Sequence, residues 1–432
     1  MKKSLIYILL LVGILLLALT VPACAEGQKV TFWTLPDPEP AAFWTDSAKD
    51  FMAVNPGIQV DVRAIAEAPT SEAVLLTAIA GGTAPTAAGG IFNGFAAQLA
   101  EAGAIVPLDS LPGWDELIKN RSMKEAIKAW QFPDGHFYIL PIYSNPMLFS
   151  WRTDVLKELG VDTPRTYSQV SEVAAKFMEK YPDNFLMAYK RLGSTSWYYR
   201  WYDFFPLYEA ASDGQPFLMG NEITADDKAA IEVFKFFADL SAAGYLLPRD
   251  VPDAFPTKFS IWRPCGPWEL PRWAESFPEM EYGESFVVAP PPIPTLGSLA
   301  SIQHPKTFAD AKGYVLLAQG SKEDREAAWE FLKWVLSKPE NDLKWAEMTG
   351  MLPVRDDLST NTLFKEFFKQ HPELIAYAES IPYAIPALMH SRYADIYLAI
   401  GEEGFLPIIN GEKTPEQAWQ DVKDAIGRIF AE

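Results

Sequence analysis

The sequence contains few of the residues from which disulfide frameworks, metal sites and histidine-dependent catalytic sites are built. Among its 432 residues there are two cysteines and four histidines. After Cys24, only Cys265 remains, so no disulfide framework is possible and the fold must depend on its hydrophobic core. None of the histidines has the H-x-x-x-H or H-E-x-x-H spacing of a zinc site, so we expect no metal.

Motifs of the common enzyme classes are also absent. The chain has no G-x-S-x-G elbow, no G-x-x-x-x-G-K-S/T phosphate loop and no G-x-G-x-x-G turn, so we expect no cofactor and no enzyme of these classes. The 56 acidic residues still allow paired carboxylates in space. A secreted glycoside hydrolase needs only two carboxylates and an aromatic-lined cleft, and it stays open as an alternative.

Clusters of positive charge are missing as well. The formal net charge is −19, and no run of basic residues follows Lys3. Because nucleic-acid backbones are bound through clustered Lys and Arg, we expect no nucleic-acid partner. With 49% hydrophobic and 22% charged residues, the chain can bury a large core, and its length favours two lobes of about 100–200 residues each.

The N-terminal 24 residues have the pattern of an export signal. Lys2 and Lys3 precede an apolar run, Leu5 to Leu19, that is shorter than the roughly 20 residues of a membrane-spanning helix. The following "LTVPAC" allows cleavage after Ala25 or, in the interpretation we favour, lipidation of Cys24. Both interpretations place the mature protein outside the cytoplasm, in the periplasm or at the cell surface.

Strand and helix patterns alternate through the rest of the chain. "QKVTFWT" at Gln28 to Thr34 is typical of a strand, and helical patterns follow, for example at Ser71 to Ala80. Near the C-terminus, Thr414 is a predicted N-cap for a helix over Pro415 to Phe430. The alternation predicts an α/β fold with a largely parallel sheet and helices on both faces.

The stretch "WYYRWYDFF", Trp197 to Phe205, has seven aromatic residues in nine positions. In a helix, Trp197, Trp201 and Phe205 would share the core-facing side. Tyr202 would then lie on a neighbouring stripe, which favours an aromatic-lined cleft over a purely aromatic core. Tyr and Trp suit a carbohydrate, because a pyranose rests its C–H face on a ring while its hydroxyls form hydrogen bonds.

Several stretches resemble one known family, and they occur in that family's order. They include "NPGIQVDV", "AGGTAP", "PDGHFYILPIYSNPMLFSWRTDVLKELG", "CGPW", "TGMLPVR" and "NGEKTPEQAW". Together they resemble the large sugar-binding, maltose-binding-protein-like family of bacterial extracellular solute-binding proteins of ABC importers. The blocks extend from Lys29 to Trp419. Two departures stand out: "APTAAGGIFNG" lacks the usual β-branched third strand, and Trp151-Arg152 replaces Tyr-Asn.

The resemblance implies a two-lobed periplasmic-binding-protein fold whose lobes close by hinge bending over a solute in the cleft between them. It also implies a monomer that delivers a mono- or oligosaccharide to membrane permease subunits; a sugar-sensing receptor is a further alternative. The predicted boundaries are residues 25–142 plus 313–357 for lobe 1, 148–311 plus 358–432 for lobe 2, and crossings near 143–147, 312 and 358.

Positions matching the family motifs give the candidate ligand residues. Trp268, in Gly266-Pro267-Trp268, falls at the family's stacking position, and Tyr202 has the spacing of its stacking tyrosine. Trp33 and Asp37 follow the first strand, where the carboxyl ends of α/β strands meet ligands. For each candidate the alternative is ordinary packing or a surface ion pair. The remaining candidates are Trp201, Trp197, Asn93, Tyr143, Asn145, Gly266, Arg355 and Tyr393.

Overall fold

The computed structural model describes residues 27–67, 70–295 and 304–432. The predicted leader and the lipidation of Cys24 lie outside these residues. Within the described ranges, no helix is long and apolar enough to cross a membrane.

The strands fall into two main sheets and two short pairs. In chain order they are β1 (Gln28–Thr34), β2 (Ile58–Ala64), β3 (Ala87–Ile91), β4 (Leu140–Pro146), β5 (Leu148–Trp151), β6 (Met187–Ala188), β7 (Leu218–Met219), β8 (Glu222–Ile223), β9 (Leu246–Leu247), β10 (Trp262–Cys265), β11 (Val287–Ala289), β12 (Thr307–Leu316) and β13 (Ala384–Ile385).

The larger sheet has the strand order β13-β12-β3-β1-β2, and β4 also pairs with β12. β1 is parallel to both β2 and β3, as predicted, because helices carry the chain back between these strands. β12 runs antiparallel to β3 and β4. This sheet is the centre of the first lobe.

The sheet of the second lobe, β10-β5-β11, is antiparallel throughout, which differs from the largely parallel sheet expected there. β5 follows β4 after the single residue Met147, so its direction is set by the chain that crosses from the first lobe. The long helical segments before β10 and β11 can return the chain in either direction, and the strand–helix alternation therefore did not predict this pairing.

Helices cover the sheets, and the helices predicted at Ser71 to Ala80 and Pro415 to Phe430 are among them. Their bounds are α1 (Pro38–Val54), α2 (Ser71–Ala80), α3 (Asn93–Glu101), α4 (Trp114–Asn120), α5 (Thr153–Leu159), α6 (Tyr167–Lys180), α7 (Phe204–Ser212), α8 (Asp227–Ala242), α9 (Glu269–Ser276), α10 (Lys322–Leu336), α11 (Pro339–Thr349), α12 (Lys365–Gln370), α13 (Ile375–Ser380), α14 (Tyr393–Ala399), α15 (Leu406–Ile409) and α16 (Pro415–Ala431). Thr414 caps α16 through a reciprocal capping box with Gln417, which confirms the predicted N-cap.

The aromatic stretch is not one helix, so the predicted core-facing stripe is wrong. Trp197–Trp201 forms a 3-10 helix, and α7 begins only at Phe204. The break lies at Asp203, whose carboxylate accepts a hydrogen bond from the Phe204 backbone N–H and pairs with Arg200 at 2.8 Å. Because both charged side chains are buried, the pair holds a fixed turn there, and it points the rings of the two segments in different directions.

Candidate ligand site between the lobes

The two strands that cross between the lobes present polar side chains on one face. In the antiparallel β4–β12 pair, Asn145 lies opposite Asp310 and Tyr143 lies opposite Lys312. Directly opposed residues project to the same face, and the alternation of a strand puts positions two apart on that face too. These four side chains therefore form a polar floor at the crossing.

Asp310 is the member of this floor that sequence reasoning missed. No hydrogen bond from the described residues reaches its carboxylate, although the residue is largely buried. Burial raises the pKa of Asp310, and the nearby positive charge of Lys312 opposes that shift. A desolvated acceptor without a protein donor is a place where a ligand hydroxyl can bind.

The Tyr143 phenol lies near Asp310 and near charged or polar groups of both lobes. Burial raises the pKa of the Tyr143 phenol well above its usual value, and the negative charges of Asp310 and Asp37 raise it further. Asp37 is exposed at the N-terminus of α1 and does not cap the helix with its side chain. The electrostatic effect of Tyr202, in the second lobe, also raises the pKa of Tyr143. The structure thus brings Asp37, Tyr143 and Tyr202 together around the floor.

The second lobe supplies two aromatic rings beside this floor. The centroids of Tyr202 and Trp268 are 6.2 Å apart, edge to face. Trp268 is 40% exposed, while the guanidinium of Arg191 lies 3.8 Å from the Tyr202 ring centroid and covers one face of that ring. Arg191, which was not predicted, therefore fixes Tyr202 from one side and leaves the rest of the ring for a ligand.

Gly266 has a steric role at this wall. A Cβ added at Gly266 would lie 2.2 Å from the Trp268 ring. Only glycine lets the indole fold back over the backbone of the Gly-Pro-Trp turn. We refer to Asp37, Tyr143, Asn145, Tyr202, Trp268 and Asp310 as the cleft site.

Three other predicted residues belong to a packed aromatic cluster between the lobes. Phe92 of the first lobe meets Trp197 at 6.2 Å, Trp201 at 5.6 Å and Tyr393 at 5.0 Å between ring centroids. Trp201 is only 7% exposed and also packs on Phe308. The structure places these three rings in cross-lobe packing, where a ligand ring has no room beside Trp201. We call this group the Phe92 cluster.

Asn93 and Trp33 lie at the edge of the predicted site. The Asn93 side chain is fully buried at the start of α3, and neither amide atom has a partner among the described residues. Trp33 is partly buried on β1 and packs against the core. Among the described residues, neither one forms a hydrogen bond or a ring contact with the cleft site. Asn145 differs, because it lies opposite Asp310 and its amide oxygen is unpartnered in the described structure.

Arg355 does not join the cleft site. Its guanidinium binds the carboxylates of Asp342 and Asp357 at 3.0 and 2.8 Å. Asp342 also pairs with Arg121 at 3.0 Å. The side chains of Arg121, Asp342 and Arg355 are almost fully buried. Arg355 therefore stabilises the first lobe, and its guanidinium is not free to bind a solute. The spacing after Pro353 made Arg355 a candidate, but it did not predict the two carboxylates that pair with its guanidinium.

Comparisons with known proteins identify the family of this chain. A family model for bacterial extracellular solute-binding proteins matches residues 46–376. The chain belongs to this family. It is also 27% identical over 374 residues to the maltotriose-binding protein of Pyrococcus abyssi, an alignment that covers 84% of this chain and 73% of that protein.

Solved structures of other proteins show the same fold. An uncharacterized protein of Listeria monocytogenes superposes with a TM-score of 0.91 at 44% identity, over 93% of this chain and all of that one. The cyclic alpha-maltosyl-1,6-maltose binding protein of Arthrobacter globiformis superposes with a TM-score of 0.75 at 19% identity, over 94% of this chain and 99% of that one. The predicted family, two-lobed fold and extracytoplasmic solute-binding role are thereby confirmed.

Proposed function

We propose that this solute-binding protein captures a carbohydrate in the cleft site and delivers it to an ABC importer. The observation that carries the proposal is an exposed indole, Trp268, next to Tyr202 and the unbonded carboxylate of Asp310. A sugar offers an apolar C–H face and hydroxyl donors together, and this site offers a flat ring and free acceptors together.

The charge around the site favours a neutral solute. Asp310 and Asp37 are balanced by Lys312 and by Arg191, which is already stacked on Tyr202. A phosphorylated solute would need several converging cations, and Arg355, one candidate, is bound to carboxylates. Hydroxyl groups that donate to the two carboxylates and to the Asn145 amide oxygen match the unpartnered acceptors best.

Closure of the lobes would follow from the same geometry. Asp37 belongs to the first lobe, Tyr202 and Trp268 to the second, and Asp310 to the crossing strand between them. When the lobes approach without a solute, the desolvated acceptors stay unpaired, which costs about 1–3 kcal/mol for each group. A sugar that donates hydrogen bonds removes this cost, so it shifts the population toward the closed form.

The relatives support the solute class. By their names, the Pyrococcus abyssi protein binds maltotriose and the Arthrobacter globiformis protein binds cyclic alpha-maltosyl-1,6-maltose. We therefore infer that this chain binds an oligosaccharide built from similar units. We further propose the lobe boundaries at 25–142 plus 313–357 and 148–311 plus 358–432, a monomer, contact with two permease subunits, and a lipid anchor at Cys24.

Isothermal titration calorimetry of the mature protein against mono-, di- and trisaccharides tests the proposal. Saturable binding of one sugar, with no products after long incubation, is the expected result. The Asp310→Asn variant should bind that sugar at least about tenfold more weakly, because a hydrogen bond to a charged acceptor contributes about 1.5–3 kcal/mol. Asp46→Asn removes a surface carboxylate paired only with Lys344, and it serves as the matched control.

Three results would count against the proposal. Absence of saturable heat with every sugar would remove carbohydrate as the solute class. Release of shorter sugars during incubation would favour a glycoside hydrolase. Equal affinities for the Asp310→Asn and Asp46→Asn variants would show that the sugar binds elsewhere.

A further inference from the structure

A second pocket lies between the lobes and shares no residue with the cleft site. Its volume is about 640 Å³, which lies within the range of about 300–1,000 Å³ that ligand pockets span. The first lobe contributes segment 125–135, whose backbone is held by Asp356. The second lobe contributes α7 and segment 213–219, and segment 382–388, which includes β13, completes the lining.

Glu209 of α7 is buried in the wall of this pocket without a partner. It is only 3% exposed, and its Oε2 atom has no hydrogen bond among the described residues. Burial raises the pKa of Glu209 to about 8, and the positive charge of Lys306 moderates that shift. A buried carboxyl group without a donor is costly to the fold, so its retention here calls for a partner that is not part of the chain.

Lys306 provides a charge of the opposite sign in the same pocket. No carboxylate of the described residues lies within ion-pair distance of its ammonium, which instead stands 5.2 Å from the Tyr383 ring centroid. Glu125 and Lys128, at the rim, are already paired with each other at 2.5 Å. Among the described residues, the pocket thus holds one carboxyl group without a hydrogen-bond donor and one ammonium group without an ion-pair partner.

The remaining wall is apolar. It is formed by aromatic and aliphatic side chains from both lobes, namely Phe132, Phe205, Phe217, Leu218, Ile385 and Leu388. Asp213 is the remaining charged residue of the described lining. An apolar group bound here would be removed from water on several sides, while any charged head group would have to lie near Glu209 and Lys306.

We propose that this pocket binds a small zwitterion with an apolar body, of the kind represented by a free hydrophobic amino acid. Binding of the ligand's ammonium group displaces the Glu209 proton to water, and the ammonium then donates to the ionised Glu209 carboxylate. The ligand's carboxylate accepts from the Lys306 ammonium, and its side chain lies against the apolar wall. Because segments of both lobes line the pocket, the occupant contacts both lobes at once. This pocket shares no lining residue with the cleft site.

Calorimetry with three related probes tests the charge pattern directly. L-Phenylalanine carries both charges, 2-phenylethylamine lacks the carboxylate, and 3-phenylpropionate lacks the ammonium. With the mature wild-type protein, we expect L-phenylalanine to bind at least about tenfold more tightly than either analogue, since each loses one charge-assisted hydrogen bond. The Glu209→Gln and Lys306→Met variants should each lose about tenfold or more of the L-phenylalanine affinity.

Two controls make the result decisive. Trp268→Ala changes the cleft site and should leave L-phenylalanine binding unchanged, and circular dichroism on heating confirms that each pocket variant is folded. The proposal is overturned if L-phenylalanine gives no saturable heat up to about 10 mM. It is equally overturned if the analogues bind as tightly, or if folded Glu209→Gln and Lys306→Met proteins keep the wild-type affinity.

Discussion

Replacement of Trp268 by alanine is the most direct test of the aromatic wall. Trp268 is 40% exposed, and a tryptophan side chain has roughly 250 Å² of surface. About 100 Å² of the indole is therefore free to contact a sugar. At about 25 cal/mol per Å² of apolar surface, full coverage contributes about 2.5 kcal/mol, and coverage of one ring face about half of that. The expected loss of sugar affinity in Trp268→Ala is roughly 10- to 70-fold.

The assay is a calorimetric titration of wild-type and variant protein with the best-binding sugar. Trp334→Ala is the matched control, because Trp334 is a partly buried tryptophan on α10 whose ring is capped by Lys338 at 3.3 Å. The control should bind the sugar with wild-type affinity. A Trp268→Ala protein that binds within about twofold of wild type would refute the idea that this ring carries the solute, as would an equal loss in Trp334→Ala.

Three further predictions concern Asp310 in the polar floor, the Phe92 cluster and the buried carboxyl group of Glu209. Asp310→Glu should weaken sugar binding while it leaves the melting temperature unchanged, since the longer side chain keeps the charge but moves the acceptor; unchanged affinity would contradict the role of Asp310. Phe92→Ala removes three cross-lobe ring contacts, so small-angle scattering of the unliganded protein should show a larger radius of gyration, and an unchanged radius would mean that the cluster does not hold the lobes together. Glu209 keeps its proton up to about pH 8 in the folded chain but loses it near 4.5 when unfolded, so the free energy of unfolding should fall by up to about 1.4 kcal/mol per pH unit between these values. Urea unfolding at several pH values within that window should show that the free energy of unfolding depends less on pH in Glu209→Gln than in the wild type. Equal pH dependence in the two proteins would contradict the prediction.

Local signals in the sequence were sufficient for much of the fold. The parallel pairing of β1 with β2 and β3 follows from strands separated by single helices, and the Thr414 capping box is readable from four residues. The antiparallel β10-β5-β11 sheet was not predictable in this way, because pairing direction depends on where long helical segments return the chain.

The site was only partly predictable for a similar reason. Trp268 and Tyr202 were found from a motif and a spacing, and they do lie together. Asp310 is one of 56 acidic residues, and nothing in its neighbours distinguishes it. Its importance comes from a carboxylate that accepts no hydrogen bond from the described residues, which is a property of the folded surroundings and not of the local sequence.

The sequence by itself determined the family, the secondary structure of several segments and the excess of aromatic rings near Trp197. The tertiary structure alone decided what each ring does. Trp201 and Tyr202 are adjacent in the chain, yet Trp201 is sealed against Phe92 of the other lobe while Tyr202 lies beside Trp268. The burial of Trp201 depends on Phe92 and Phe308, each more than one hundred positions away in the chain, because packing is set by contacts in space.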